Sequence, residues 1–226
     1  MLRFLLNLEQ KLISKQRFRK ISSNQKLINA INTFDQVIFN CIICETKNNF
    51  KIICDYDKFL FLQKTVYCKK CGLIQSNPRM SDSATEIYYS NDYYRQIYSN
   101  SIDEEKNFLK KSKKSKKIYN LVKDIIKFNL DDSVLEIGSY TGYNLLEFKK
   151  NKLDVLGIDP SQNAKDIAKK HNINVENIDI SNLSKKFKLI MLINVLEHFN
   201  DPKSKLLEIT KNMKYDSYLF ICLPEI

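Results

Sequence analysis

The C-terminal part of the chain alternates short apolar runs with amphipathic segments. After Asp131 and Asp132 the order is "SVLEIG", "YNLLEFKKN", "DVLGID", "SQNAKDIAKKH", "INVEN", "FKLIMLIN", "DPKSKLLEITKNM" and "SYLFICLP". Strands that alternate with crossover helices predict a parallel sheet in an α/β, Rossmann-like fold over residues 129–226. Upstream the pattern is different. Residues 1–36 are basic and carry Leu2, Leu5, Leu6, Leu8, Leu12 and Ile13 as an imperfect helical stripe, which either packs on the body or rests on a membrane surface. Residues 37–82 hold short β-type runs, "FKIIC", "FLFLQ" and "TVYC", between pairs of cysteines. Residues 83–128 begin as a tyrosine-rich connector, "EIYYSNDYYRQIYSN". They continue as a helix on which Phe108, Ile118, Leu121, Val122, Ile125 and Ile126 recur at helical spacing.

With 226 residues, 43% of them hydrophobic, the chain can bury one full core, or a smaller core plus an accessory module. It has no run of about 18 apolar residues, so no membrane-spanning helix is expected. The opening stretch is interrupted by Arg3, Asn7, Glu9 and Gln10 and lacks a small-residue cleavage site, which argues against a secretory signal. A net charge of +11 invites a polyanion partner. Arginine, however, is confined to Arg3, Arg17, Arg19, Arg79 and Arg95, while Lys, Asn and Ile are used heavily everywhere, as AT-rich coding would also produce. The densest cluster, Lys110 to Lys117, reads as the solvated face of its helix in preference to a binding patch. The lysines do not interleave with the tyrosines as a base-stacking surface would, so nucleic acid is not the expected partner.

Four of the six cysteines form two C-x-x-C pairs, Cys41 with Cys44 and Cys68 with Cys71. Two residues between ligands let one tight turn aim both sulfurs at a single ion, and Gly72 can take the positive φ with which the chain leaves the second turn. Four thiolates with no histidine nearby predict a closed, structural zinc site. An iron site of the same geometry, or plain buried thiols, are the alternatives. Cysteine pairs in a chain without an export signal point to a reducing cytoplasm. Cys54 and Cys222 fall in apolar runs and are expected to be buried.

"VLEIGSYTGYNLLEF" runs from a strand through a glycine turn into a helix, and Asp159 ends the next strand about 20 residues on, where a carboxylate can accept two ribose hydroxyls. The dinucleotide fingerprint needs a glycine where this chain has Tyr140, so that backbone can approach a pyrophosphate. A phosphate-bearing cofactor is therefore disfavoured.

These residues resemble the class I S-adenosylmethionine-dependent methyltransferases. "VLEIGSYTGYNLL" is similar to their first motif, E-x-G-x-x-x-G, "VLGIDPS" to their second and "FKLIMLINVLEHFNDP" to their fourth, while "NIDISNL" sits where an acidic residue usually approaches adenine. From Cys41 onward the chain resembles a subgroup with an N-terminal "C-x-x-C…C-x-x-C-G-L" module and a "YYS…YY" connector, which includes sugar C-methyltransferases of surface-polysaccharide synthesis. The resemblance implies S-adenosyl-L-methionine as cofactor, with Glu136, Gly138 and Gly142 shaping the methionine pocket, Asp159 on the ribose and Asp179 near the adenine, and it places Asn194 in the same cofactor site. The acceptor it implies is a small molecule such as a nucleotide-linked sugar.

Asn194, Glu197, His198 and Asp201 follow the strand "KLIMLI" and so fall at the C-terminal edge of the sheet, where ligands bind in such folds. His198 either takes a proton or only braces its loop. Tyr93 and Tyr94 are the alternative bases, and His171 reads as a surface residue at a helix end. Members of the resembled family continue past the fifth strand. The chain is therefore expected to be truncated, with a further segment or a partner chain completing the sheet. Two rival functions remain: a non-catalytic remnant or binding module of the fold, and an RNA methyltransferase or nucleic-acid binder.

Overall fold

A computed structural model describes residues 34–56, 62–98 and 104–224. The helix expected over residues 1–36 falls on residues outside these, apart from its last three positions, the last of which, Gln36, opens a strand. The chain divides into two compact units, Met1–Ser99 and Asn100–Ile226. The tyrosine-rich stretch lies in the first and the lysine-rich helix in the second.

In the first unit, strands β2 (Phe50–Tyr56), β3 (Leu62–Cys68) and β4 (Ile74–Ser76) form an antiparallel sheet, with Phe50 opposite Cys68 and Thr65 opposite Ser76. A two-stranded ladder joins β1 (Gln36–Val37) to β5 (Arg79–Met80). Little of the sheet is covered: Ile52 and Ile53 are each about half exposed. Three short strands with so small a core are marginal by themselves. Cys54, in β2, is exposed, with its thiol donating to the Tyr56 carbonyl, because the hairpin leaves that edge in solvent; the expectation of burial is corrected. Helix α1 (Asp82–Ser90) is capped by Ser81, whose hydroxyl accepts from the Ala84 amide at 3.2 Å. Helix α2 (Tyr93–Tyr98) follows, and Tyr88, Tyr89, Tyr93 and Tyr94 pack with Phe34, Met80 and Ile97 in one aromatic cluster.

The second unit is the α/β body. Strands β6 (Ser133–Ile137), β7 (Asp154–Ile158), β8 (Val175–Glu176), β9 (Phe187–Ile193) and β10 (Met213–Cys222) are all parallel, in the order β10-β9-β6-β7-β8. Both faces of β6 are covered, which is why its sequence reads as a continuous buried run. Val134, Val155, Leu189 and Met191 face a core shared with Val122, Phe148 and Ala168. These three come from helices α3 (Glu104–Lys123), α4 (Leu146–Lys150) and α5 (Gln162–Lys170). On the opposite face Leu135, Ile137, Leu156, Ile190 and Leu192 meet Ile209 of helix α6 (Pro202–Thr210).

Helix α3 turns Phe108, Ser115 and Val122 inward and leaves Lys110, Lys113, Lys114, Lys116 and Lys117 exposed, the solvated face its pattern predicts. Leu121 and Ile125, expected on the apolar face, are instead 57% and 65% exposed, since the helix presents only a narrow stripe to the sheet at Leu121 and has ended at Lys123, before Ile125. His171, at the C-cap of α5, is not a free surface residue. Its ring stacks on Phe108 at 3.6 Å and its Nε2 lies 2.6 Å from Glu105 Oε1. Cys222 is exposed rather than buried because β10 is an edge strand, paired only with β9 among the described residues.

Candidate functional site

The strand order reverses at β6: the chain leaves β6 towards β7 on one side, and β9 lies on the other. In open parallel sheets this reversal opens a crevice at the carboxyl ends of the strands. The loop after β6 closes under that crevice by two backbone bonds, Ser139 N–H to the Ile158 carbonyl at 3.0 Å and Gly142 N–H to the Ser139 carbonyl at 2.9 Å. Gly138 and Gly142 both have positive φ, +66° and +70°, and both are pressed by side chains. A Cβ on Gly138 would lie 2.4 Å from Val195 Cγ2, and one on Gly142 would lie 2.5 Å from Ile173 Cγ2. Glycine is therefore required twice over, for conformation and for space. Tyr140, between them, also adopts a left-handed backbone, φ +49°, although its ring is buried. That conformation is costly for a tyrosine.

Glu136 sits on β6 in register with Gly157 and Met191 and is 2% exposed. Asn144 Nδ2 donates to Glu136 Oε1 at 2.6 Å, while Oε2 is buried with no hydrogen-bond partner. Burial pushes this carboxyl up to about 8; the Asn144 hydrogen bond acts against the rise and the nearby Asp159 charge adds to it. Asn144 is itself held from α3. Ser115 Oγ donates to the Asn144 carbonyl at 2.7 Å and accepts the Glu147 amide at 2.8 Å.

At the end of β7 the Asp159 carboxylate accepts from the Tyr140 amide at 2.7 Å through Oδ2 and from the Ser161 amide at 3.0 Å through Oδ1. The two backbone donors fix its orientation. Gly157 leaves room beneath the loop, since a Cβ there would lie 2.3 Å from Ser139 Oγ, which is buried and unpaired.

After β9 the chain turns at Asn194, φ +53°, whose amide donates to the Cys222 carbonyl at 2.8 Å and whose side chain is exposed. His198 lies in the 3₁₀ turn Leu196–His198, partly exposed, with Nε2 3.8 Å from Glu197 Oε1. Asp179 caps the 3₁₀ turn Ile180–Asn182 through the Ser181 amide at 2.8 Å and pairs with Lys205 of α6 at 3.4 Å. Burial, the largest single influence, raises its carboxyl, but Ser181 and Lys205 together outweigh it and hold the group below the usual carboxylate range.

The fold thus gathers Glu136, Gly138, Gly142 and Asp159 around one loop and brings Val195, just after Asn194, over Gly138. Asp179 is tied separately to α6. Tyr93 and Tyr94 belong to the first unit, where their rings pack edge-on or tilted against Phe34, Tyr88 and Tyr89. Asn144, Ser115, Val195 and Lys205 were not singled out from the sequence. Asn144 left a signal, a polar residue inside "GYNLLEF", whereas Ser115 is hidden among lysines.

The four cysteines meet in the first unit. Their sulfurs all lie within 4.8 Å of one another, with Cys41 Sγ 3.4 Å from Cys71 Sγ and Cys44 Sγ 3.7 Å from Cys68 Sγ. Tetrahedral thiolates at about 2.3 Å from a zinc ion would stand roughly 3.8 Å apart, so the cluster has the dimensions of a four-thiolate centre. Each C-x-x-C turn ends in a left-handed residue, Gly72 at φ +84° and, unforeseen, Glu45 at φ +58°. Buried Gln75 ties the first turn to the sheet, accepting from the Ile42 amide at 3.2 Å and donating to the Asn40 carbonyl at 3.3 Å.

The family described as Methyltransferase domain matches residues 94–226. No curated protein matches the chain. Among solved structures it is similar to the plantazolicin methyltransferase BpumL in complex with a triazolic analogue and SAH, at 25% identity and a TM-score of 0.48, over 61% of this chain and 55% of that one. It is also similar to coclaurine N-methyltransferase bound to N-methylheliamine and SAH, at 20% identity and a TM-score of 0.42, over 47% of this chain and 35% of that one. A third is a SAM-dependent methyltransferase from Geobacter sulfurreducens with S-adenosyl-L-homocysteine, at 16% identity and a TM-score of 0.41, over 47% of each chain. The matched part therefore spans 35% to 55% of the length of these proteins.

Proposed function

From the premise that the chain belongs to the methyltransferase-domain family, we propose that it binds S-adenosyl-L-methionine in the loop after β6 and transfers the methyl group to a small-molecule acceptor. The observation that carries this reading is Glu136, a fully buried carboxyl with one oxygen unpaired, beneath a loop whose two glycines exclude any side chain. An orphaned buried acid in a parallel-sheet crevice fits a cationic ligand and does not fit a pyrophosphate. The chemistry of the donor set agrees: Glu136 for an ammonium, and Asp159, already aimed by Tyr140 and Ser161, for a ribose diol.

When bound, S-adenosylmethionine supplies a methyl group already activated on a sulfonium. The residues of this chain bind and orient it: Glu136 and the glycine loop at the amino-acid end, Asp159 at the ribose, and the segment around Asp179 at the adenine, where Lys205 limits how far that carboxylate can turn. Such a transfer asks mainly for alignment at near-attack distance. Where the acceptor must lose a proton, His198 at the sheet edge is the candidate base. Tyr93 and Tyr94 are second candidates, and their ring packing favours a structural role. The acceptor class we favour is a nucleotide-linked sugar, on the resemblance of the four-cysteine module and connector.

The four cysteines are proposed to hold a structural zinc ion that staples the first unit, leaving no open coordination position for catalysis. No helix among the described residues is long and apolar enough to cross a membrane.

Thermal stabilisation of the full chain by S-adenosylmethionine, lost in Asp159→Ala, tests the cofactor assignment. Transfer of label from methyl-labelled cofactor to a panel of sugar nucleotides tests the acceptor. Stabilisation without transfer to any acceptor would favour a binding module, and no stabilisation at all would sink the reading.

A further inference from the structure

Glu136 presents two oxygens in different situations. Oε1 is taken by Asn144, and Oε2 is buried and bare. A carboxylate in that state would be a buried charge without a partner, so without ligand the group keeps its proton. Among the described residues, the one charge acting strongly on it is an anion. β7 brings Asp159, whose negative charge reinforces the protonated form; β9 brings Met191; and the 3₁₀ turn Tyr143–Leu145 brings Asn144. α3 brings Ser115 and Lys111, and the Lys111 ammonium lies 5.6 Å above the Tyr143 ring.

Resting on the cofactor assignment above, we propose that Asn144, braced by Ser115, is a positioning residue that turns the bare oxygen of Glu136 towards the ligand's α-ammonium, and that binding this ammonium expels one proton from Glu136. The step balances: a neutral acid meets a cation, the carboxyl O–H bond breaks, the proton passes to buffer, and an ammonium–carboxylate contact forms in its place. The ordering chain runs from α3 to the site. Ser115 fixes the Asn144 backbone and the Glu147 amide in the first turn of α4, and Asn144 then holds Oε1 at 2.6 Å. With Oε1 held, the free oxygen has one orientation instead of two.

The linkage has a definite sign. Binding that releases a proton tightens as pH rises, about tenfold per pH unit, for as long as the unliganded group is protonated. The unliganded carboxyl titrates at about 8, so the range from pH 6 to 7.5 lies within the dependent region.

The test is calorimetry of the full chain with S-adenosylhomocysteine, which carries the same ammonium and cannot turn over, in buffers of different ionisation enthalpy. The wild type is expected to release close to one proton per ligand at pH 7 and below, and to gain roughly twenty-five-fold in affinity between pH 6 and 7.5. Glu136→Gln, which keeps the shape, should release none and show a flat profile. Asn144→Ala and Ser115→Ala should weaken binding at every pH while the released proton remains, which separates positioning from titration. Circular dichroism of each unliganded variant checks the fold. A wild type that binds with pH-independent affinity would overturn this inference and leave the cofactor assignment standing. A Glu136→Gln variant that keeps the slope, or an Asn144→Ala variant that binds as well as wild type, would also overturn it. A wild type that does not bind at any pH would overturn both.

Discussion

Replacing Gly138 by alanine puts a methyl group where Val195 already sits. The added Cβ would lie 2.4 Å from Val195 Cγ2 and 3.0 Å from Cγ1, well inside any real contact, and the residue would still have to hold φ at +66°. The left-handed backbone costs about 1–2 kcal/mol for a residue with a Cβ. Forcing a methyl into an occupied space costs about 1–3 kcal/mol more. The sum, about 2–5 kcal/mol, is a large fraction of the roughly 5–15 kcal/mol that holds a domain together. Only the second part depends on Val195. A double-mutant cycle with Val195→Ala should therefore return a coupling of about 1–3 kcal/mol, whereas independent sites add within about 0.5 kcal/mol. The chain has no tryptophan to report unfolding, and its two units need not melt together. Hydrogen exchange of peptides covering β6 and β9 across a urea series reads the affected unit directly. Strict additivity of the two substitutions would refute the steric argument. A Gly138→Ala variant as stable as wild type would refute the backbone argument as well.

Further outcomes follow from other contacts. Asp132 is buried and accepts from the Asn129 amide at 2.9 Å and from Lys214 at 2.7 Å; burial raises its carboxyl, but these two partners outweigh that and hold it below the usual range. Its contribution is therefore present above the ordinary carboxylate pKa of about 4 and lost as pH falls through the lower folded value. Lys214→Met should cost about 1.5–3 kcal/mol at pH 7 and less near pH 3, measured by urea unfolding; an unchanged pH profile would contradict the pairing. Cys44→Ser should lower the zinc bound per chain and weaken the thiolate-to-cobalt charge-transfer band of the cobalt-substituted protein, and full metal retention with an unchanged band would refute the four-thiolate centre. Tyr93→Phe and Tyr94→Phe keep the rings and should leave methyl transfer within about twofold if these residues only pack. A loss above about a hundredfold in either would mark it as the base.

The parts legible in the sequence were those governed by local period and local chemistry. Parallel strands buried on both faces read as unbroken apolar runs, so "SVLEI", "FKLIMLI" and the segments between them revealed the sheet and its helices directly. Two C-x-x-C turns announced a four-sulfur cluster because each turn is made within four residues. Glycine permits the positive φ anticipated at Gly72, and the turn expected at Gly138 and Gly142 proved to use the same freedom, whereas Gly157 does not adopt it. Tertiary structure decided what depends on residues distant in sequence. Cys54, Cys222, Leu121 and Ile125 sit in apolar runs, yet exposure is set by which face or edge finds a neighbour, and theirs did not. His171 looked like a helix end in solvent until α3 supplied Phe108 and Glu105. Glu136 could be picked out by its place in a motif, but not its unpaired oxygen, which is left when Asn144, eight residues on and braced by Ser115 from another helix, takes the other one. A strand encodes its own burial through its pattern of apolar residues. The protonation and reach of a buried acid are set by the groups that the fold carries to it and by those it leaves out.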